Sequence, residues 1–398
     1  MSIKKFLAGV LGLIFVGMFI ACGDTNEAGS NVNQPLDHSP GFGQAASNGS
    51  AISGWLKVAG GRYHSCGIAT DHTLWCWGRN FYGQLGVGDT ANRSLATQVG
   101  TDTDWTQFSA KDQHTCALKS NGDLYCWGFN GSGQVGDGSG ADKKSPTFVS
   151  GGWQSVDAGY QHSCAQKPNA TLWCWGLNTS GELGDGTYRY KLTPVKVLGT
   201  GWVTYSAGQA FTCGKKKDGS LWCWGWNEYG QLGLGNTVDK KKPTRVGKAS
   251  DWSAVAAGGY HACAKKTDGT LWCWGFNNNG ELGIGNKTEK YSPVKVGSAN
   301  TWASLSAGEY HTCARKKNKD LFCWGYATYG QLGDGEWSDR TTPYKVGTGW
   351  TLVVAGTEHT CGITASDTLL WCWGWNDDNQ LGSGLSGNQN SPVQVVNP

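Results

Sequence analysis

The sequence predicts an all-β fold: a seven-bladed β-propeller of four-stranded blades, with a disulfide inside each blade. Three observations predict it. The tripeptide Cys-Trp-Gly recurs seven times, beginning at Cys76, Cys126, Cys174, Cys223, Cys273, Cys323 and Cys372, at intervals of 48 to 50 residues. A second cysteine precedes each of these at nearly constant spacing. The composition, with 62 Gly and 22 Trp but only 2 Met and 10 Pro in 398 residues, suits short strands and tight turns better than helices.

At the N-terminus, Lys4 and Lys5 precede an uncharged apolar run from Phe6 to Ala21. The run is short for a bilayer span and fits the core of a signal peptide. It ends in Phe19-Ile20-Ala21-Cys22-Gly23, which resembles the lipobox of bacterial lipoproteins. The resemblance implies that residues 1–22 are a lipoprotein signal peptide and that Cys22 is the acylated residue and the only attachment to a membrane. Gly23, in place of the Asp that retains lipoproteins in the inner membrane, implies an outer-membrane or cell-surface location. An ordinary secretory signal with a chance cysteine is the other reading. Residues 23–54 are polar, rich in Gly, Ser and Asn and free of periodicity, and read as a flexible tether with a reach of roughly 30 Å. Residues 55–398 are then the propeller, expected to be a monomeric body.

Each repeat opens on a Trp: Trp55, Trp105, Trp153, Trp202, Trp252, Trp302 and Trp350. In the fifth copy Trp252–Ala256 alternates and runs into Gly258-Gly259. His261–Lys265 follows, Thr270–Trp274 returns, and a Gly-rich connection leads to the extended run Pro293–Val296. Four short strands punctuated by glycine match a propeller blade. One blade cannot bury both faces, whereas seven packed around an axis can.

Six repeats carry the cysteines at a spacing that centres a three-residue hairpin loop: Ser120-Asn121-Gly122, Lys217-Asp218-Gly219 and Thr267-Asp268-Gly269 are examples. Such a loop needs a residue at positive φ, here glycine. The two cysteines then fall opposite each other at a non-hydrogen-bonded pair, where Cα atoms come closest. The expected disulfides are Cys66–Cys76, Cys116–Cys126, Cys164–Cys174, Cys213–Cys223, Cys263–Cys273, Cys313–Cys323 and Cys361–Cys372, the last around a longer turn at Ser366-Asp367. Cys22 alone is left over, consistent with a lipidated exported chain. A metal site would want converging Cys or His pairs and a redox site a Cys-x-x-Cys, so neither a metal nor a cofactor is expected.

Six of the seven repeats place a His two residues before the first cysteine: His64, His114, His162, His261, His311 and His359. They could form a ring of ligands or bases. Phe211 interrupts that ring, and a structural role, donating to a backbone carbonyl beside the tight turn, explains the placement more simply. Nineteen of the 22 Trp occupy repeat positions and read as packing residues, leaving Trp226, Trp337 and Trp375.

The units Ala257-Gly258-Gly259-Tyr260-His261-Ala262-Cys263-Ala264, Leu271-Trp272-Cys273-Trp274-Gly275-Phe276-Asn277 and Gly280-Glu281-Leu282-Gly283 resemble repeats of the regulator of chromosome condensation family. The resemblance covers all seven copies, Trp55 to Val396. It implies a seven-bladed propeller closed by a strand from one terminus completing a blade begun at the other, so that Pro392–Val396 would pair beside the sheet that starts at Trp55. The family's founding member is a nuclear exchange factor for a small GTPase, a role not expected of an exported, cysteine-rich chain. A plant relative senses ultraviolet light through tryptophans in the turn before the His; here Tyr260, Tyr310 and Gln113 stand there, so photoreception is not expected. A secreted bacterial propeller of similar build binds an enzyme through one face, which makes it the nearest analogue by location.

Antiparallel succession puts the Ala-Gly-x-x-His turns and the long Gly-rich connections on one face. The residues that vary there are Arg62, Tyr63, Tyr160, Trp226, Tyr229, Tyr260, Tyr310, Tyr329, Trp337 and Trp375, together with Asp112, Gln113, Gln209, Glu309, Thr357 and Glu358. Aromatic and Arg side chains varying on a constant frame suit a recognition surface; solvated loop tips are the plainer reading. Asp137, Asp185 and Asp334 repeat in Gly-rich turns and read as turn residues, and Lys143-Lys144 and Lys240-Lys241-Lys242 as solubilising surface. Without the two N-terminal lysines the chain holds 31 Lys and Arg against 30 Asp and Glu, which excludes an electrostatic grip on nucleic acid. The function expected is a non-catalytic binding scaffold for another envelope or extracellular protein. The alternative is a carbohydrate-binding or cell-wall-binding propeller, and a secreted hydrolase or lyase comes third because no convergent acid/base set is visible.

Overall fold

The computed structural model describes residues 52–396. The signal segment, Cys22 and the tether through residue 51 lie outside the described residues. Ile52 packs against the cluster shared by the first and seventh blades, and the carbonyl of Gly54 accepts from the Thr70 amide at 3.0 Å.

Twenty-eight strands form seven antiparallel four-stranded sheets, each built from four consecutive strands. In the first blade these are β1 (Trp55–Gly60), β2 (His64–Ala69), β3 (Leu74–Gly78) and β4 (Arg93–Gln98). The first strand of each blade lies innermost and packs on the first strands of its neighbours. The second and third strands are buried almost throughout, because both their faces meet adjoining blades. The outermost strand, Lys290–Lys295 in the fifth blade, is half-exposed and carries lysine and proline, as an unpaired edge requires.

The cysteines sit in the register expected. Cys263 faces Cys273 across the second and third strands, and in all seven blades the paired Cα atoms are 4.1 Å apart with the sulfurs bonded. Gly122, Gly219 and Gly269 take positive φ in their hairpin loops. The other four blades put His72, Ala170, Lys319 and Thr368 there, at φ between 56° and 69°, a conformation that is costly with a Cβ.

The core is a set of clusters between blades. Cys66, Ile68, Leu74, Cys76 and Leu85 of the first blade meet Trp105, Phe108 and Trp127 of the second. A matching cluster closes the ring, with Cys361, Ile363, Cys372 and Leu381 of the seventh blade against Trp55, Val58 and Trp77 of the first. The Gly-rich connection is part of this packing. A Cβ on Gly283 would stand 2.6 Å from the Trp324 indole nitrogen of the next blade, so only glycine lets that ring in.

The expected strand exchange at closure does not occur. The last strand, β28 (Gln389–Gln394), pairs with β27 (Leu370–Gly374) of its own blade, Trp371 opposite Gln394 and Cys372 opposite Val393. Among the described residues the first strand is an innermost one and the last an outermost one, and each of the seven sheets is complete with four consecutive strands. Side chains close the ring instead: Trp77 Nε1 donates to the Gln380 carbonyl, 2.9 Å, and His359 meets Ser65.

Candidate binding face

The histidines hold the blades together. Each Nε2 lies 2.7–3.0 Å from a hydroxyl on the next blade: His64 with Thr115, His114 with Ser163, His162 with Thr212, His261 with Thr312, His311 with Thr360 and His359 with Ser65. All six of these hydroxyls donate onward to the carbonyl of the Gln or Glu in the preceding blade's Gly-rich connection, as Thr312 does to Glu281 at 2.9 Å. Each imidazole therefore donates from Nε2 and stays neutral, and burial pushes it down to about 3, or about 4 for His359. The expected direct bond from His to a backbone carbonyl is replaced by this relay, because the hydroxyl of the next blade stands between. The interruption is itself paired. Phe211 replaces the His of the fourth blade, and Ala262 replaces the hydroxyl it would have met. Both lie in one apolar cluster.

On the face carrying the inner turns, the residue two before each His or Phe forms a ring around the axis: Arg62, Asp112, Tyr160, Gln209, Gly259, Glu309 and Thr357. Backbone bonds link neighbouring turns, Arg62 N to Asp112 O, Glu309 N to Thr357 O and Thr357 N to Gly61 O among them. Asp112 and Glu309 are each only 4% exposed. Burial pushes the Asp112 carboxyl up to about 7 against the pull of Arg62, and burial with the nearby Glu309 pushes Glu358 up to about 7. Glu309 is raised by burial against Arg62 and the Tyr160 and Tyr260 hydroxyls.

Below this mouth Lys111 spans the axis. Its Nζ donates to the Ala207 carbonyl at 2.7 Å and the Ala257 carbonyl at 2.9 Å. Burial lowers its pKa, opposed by Asp157 and Glu309. Asp157 in turn accepts from Ser109 Oγ and the Ala207 amide. An axial cavity of about 440 Å³ is lined by Lys111, Asp157, Ser155, Tyr205 and Ser306 among others.

Around the mouth runs a belt of half-exposed rings in mutual contact. Trp226, Tyr229, Tyr260 and Phe276 form one knot. Tyr260 stacks on Tyr310 at 5.1 Å, Tyr310 meets Tyr326, and Tyr326 meets Tyr329. Tyr329 stacks on Trp375 at 5.5 Å, which meets Tyr63. Arg62 and Arg79 lie over the Tyr63 ring, and Phe81, Tyr82 and Phe129 extend the arc to the second blade. The third blade, with Leu177, Thr179 and Ser180 at the matching places, interrupts it.

The structure thus brings Tyr63, Trp226, Tyr229, Tyr260, Tyr310, Tyr329 and Trp375 of the expected face into the belt, and Arg62 and Tyr160 into the mouth. Trp337 stands apart, 49% exposed and, among the described residues, in no ring contact. Sequence reasoning missed Arg79, Phe129, Phe276 and Tyr326. Their signal is the position directly after each Cys-Trp-Gly, which varies between copies. It also missed Lys111, which stands where the other six inner turns have glycine. Among the described residues no group of three or more His, Cys, Asp or Glu could hold a metal ion, and no helix is long and apolar enough to cross a membrane.

Two models of the regulator of chromosome condensation (RCC1) repeat match the chain. One matches at residues 71–118, 121–166, 169–214, 218–264, 268–315, 320–363 and 367–398, the other at seven segments between 55 and 380. Among solved structures the chain is similar to Prp20p from Saccharomyces cerevisiae, described with its binding properties to Gsp1p and histones. The TM-score is 0.74 at 21% identity, covering 87% of this chain and 88% of that one. It is similar to yeast RCC1 (Prp20) bound to Kap60, with TM-score 0.73, 18% identity and coverage of 92% and 91%. Human WBSCR16 gives 0.73 at 20% identity, covering 82% and 95%. At these identities the likeness shows the fold. No curated protein matches the sequence.

Proposed function

The chain belongs to the regulator of chromosome condensation repeat family, and from that premise we propose that it is a non-catalytic scaffold whose belted face docks another protein. The observation that carries this is the aromatic belt. Rings from six blades touch edge to face or stacked around a polar mouth, half-exposed on one side of a rigid ring. Such rings supply large contact area at little entropic cost, and Trp, Tyr and Arg are the side chains that dominate protein interfaces. The seven disulfides are bonds that an oxidising, extracytoplasmic environment sustains. With the lipobox at Cys22, the reading places the scaffold on the envelope of a bacterium, held by lipid and facing envelope or extracellular proteins.

Capture tests this. A polypeptide crosslinked by the wild-type protein should be lost with Tyr329→Ala/Trp375→Ala and kept with Lys217→Ala, which lies in a hairpin turn on the opposite face. Equal capture by all three would remove the belt from the account. Retention on a glycan array abolished by the same belt variant, without protein capture, would replace the protein partner by a carbohydrate.

A further inference from the structure

Four acceptor atoms at the mouth, Asp112 Oδ1, Gln209 Oε1, Glu309 Oε2 and Glu358 Oε2, are buried without a hydrogen-bond partner, while the Tyr160 and Tyr260 hydroxyls act on the Glu309 carboxyl and the Gln113 side chain on that of Asp112. Two of the four acceptors belong to side chains 4% exposed. Buried polar atoms are ordinarily satisfied, and an orphaned one costs free energy that the fold must offset elsewhere. Four such acceptors gathered in the inner turns of one face, on the second, fourth, sixth and seventh blades, are therefore a feature of the site. The histidine relays just below pair every Nε2 and hydroxyl and leave each Nδ1 without a partner.

The resident cation does not fill this need. Arg62 acts on Asp112 and Glu309 through space only, without a hydrogen bond to either, and its own Nε is unpartnered. Three carboxyls to one guanidinium leave the mouth acceptor-rich. Around it stand rings whose faces attract cations, Tyr63, Tyr260, Tyr310 and Trp375. The unpartnered Tyr160 and Thr357 hydroxyls and Arg62 Nε stand at the same mouth, but three of the four orphaned acceptors are carboxyl oxygens, which favour a cation over a neutral sugar hydroxyl.

We propose that the mouth is a receptor for one cationic side chain of the docked protein, the guanidinium of an arginine inserted along the propeller axis. A guanidinium offers five N–H donors in a rigid planar fork. It would give Asp112 Oδ1, Glu309 Oε2 and Glu358 Oε2 charge-assisted bonds and bring its apolar stem against the belt. The inference rests on the reading that a protein docks on this face, and it names what that protein must present.

The test uses Nα-acetyl-arginine amide and its uncharged isostere Nα-acetyl-citrulline amide. Each is titrated into the whole protein and followed by ligand-observed NMR and by tryptophan fluorescence, since Trp375 and Trp226 stand at the rim. The arginine compound should bind, and the citrulline compound at least roughly tenfold more weakly. Glu309→Gln should weaken the arginine compound by about the same factor while the thermal transition is kept. Should Glu309→Gln not fold, Asp112→Asn gives the same readout, because Asn tolerates the positive φ of 47° at that position. Equal binding of the two compounds, no binding of either, or indifference of a folded Glu309→Gln would overturn the receptor. A partner protein captured through the belt but indifferent to Glu309→Gln would overturn this inference and leave the binding face standing.

Discussion

The blade interfaces and the axial mouth are built from the same repeat and treat hydroxyls and carboxyls differently. At six interfaces a buried His donates to a hydroxyl, which donates to a carbonyl. At the seventh both the His and the hydroxyl are gone, replaced by Phe211 and Ala262. Either solution leaves Nε2 and hydroxyl satisfied or absent, the two ways in which a buried polar pair avoids cost. Only three residues up the chain from each relay the mouth keeps orphaned acceptors and carboxyls raised toward neutrality. The difference teaches that the repeat pairs its hydroxyls through a relay, leaving only a neutral Nδ1 unpartnered on each imidazole. At the mouth it leaves carboxyl oxygens unpaired, the costlier group to bury, so that stability there has been exchanged for something outside the fold.

The largest expected effect comes from breaking a relay. His311→Ala leaves a cavity between the sixth and seventh blades and removes the donor to Thr360. It should lower unfolding stability by about 3 kcal/mol in a denaturant titration. A conservative variant of a solvated rim residue such as Trp337→Phe should leave the same titration unmoved. A similar small effect at His311 would dissolve the contrast.

Next comes transplanting the apolar solution. His261→Phe alone buries the Thr312 hydroxyl beside a ring and should cost about 2 kcal/mol. Adding Thr312→Ala reproduces the Phe211–Ala262 pair and should recover about 1 kcal/mol of that. A double-mutant cycle reads the coupling directly. Strict additivity of the two changes would mean that the pairing of Phe211 with Ala262 is accidental. The smallest effect concerns the hairpin loops. Ala170→Gly, at φ 60°, should raise stability by roughly 0.5 to 1 kcal/mol, seen as a small upward shift of the melting temperature. A drop would argue that loss of chain entropy outweighs the strain there.

The repeat made the blades legible, because strand order, hairpin loop and cysteine register are all local and recur with one period. Cys263 opposite Cys273 needs only a count outward from Thr267-Asp268-Gly269. What escaped is contact between repeats. The partner of each His is the residue that follows the His one repeat later, Thr312 for His261, about fifty positions away. Only the joint loss at Phe211 and Ala262 signals it. Closure was misjudged for a related reason: whether Pro392–Val396 joins the first blade or the seventh depends on which strand the chain starts from, and both arrangements share one local pattern. At the site, the aromatic turns at Tyr260 and Tyr310 were visible as variation on a constant motif. Phe276 and Tyr326 were hidden by lying next to the motif, and Lys111 by being a single break in a glycine position.

The contrast is tested most directly by unfolding stability against pH for the wild type and Asp112→Asn. Folding raises the Asp112 carboxyl from 3.8 to about 7. Its contribution to stability is therefore full below about pH 4 and lost as pH rises through 7. The six imidazoles run the other way: their pKa is depressed from 6.5, so their contribution is present above 6.5 and lost as pH falls toward 3, and it cancels in the difference between the two proteins. The account predicts that Asp112→Asn is the more stable protein at and above pH 7, and that its advantage shrinks toward pH 4. A variant less stable than the wild type at neutral pH would show that the ionised carboxylate is satisfied in the fold, and would contradict the account.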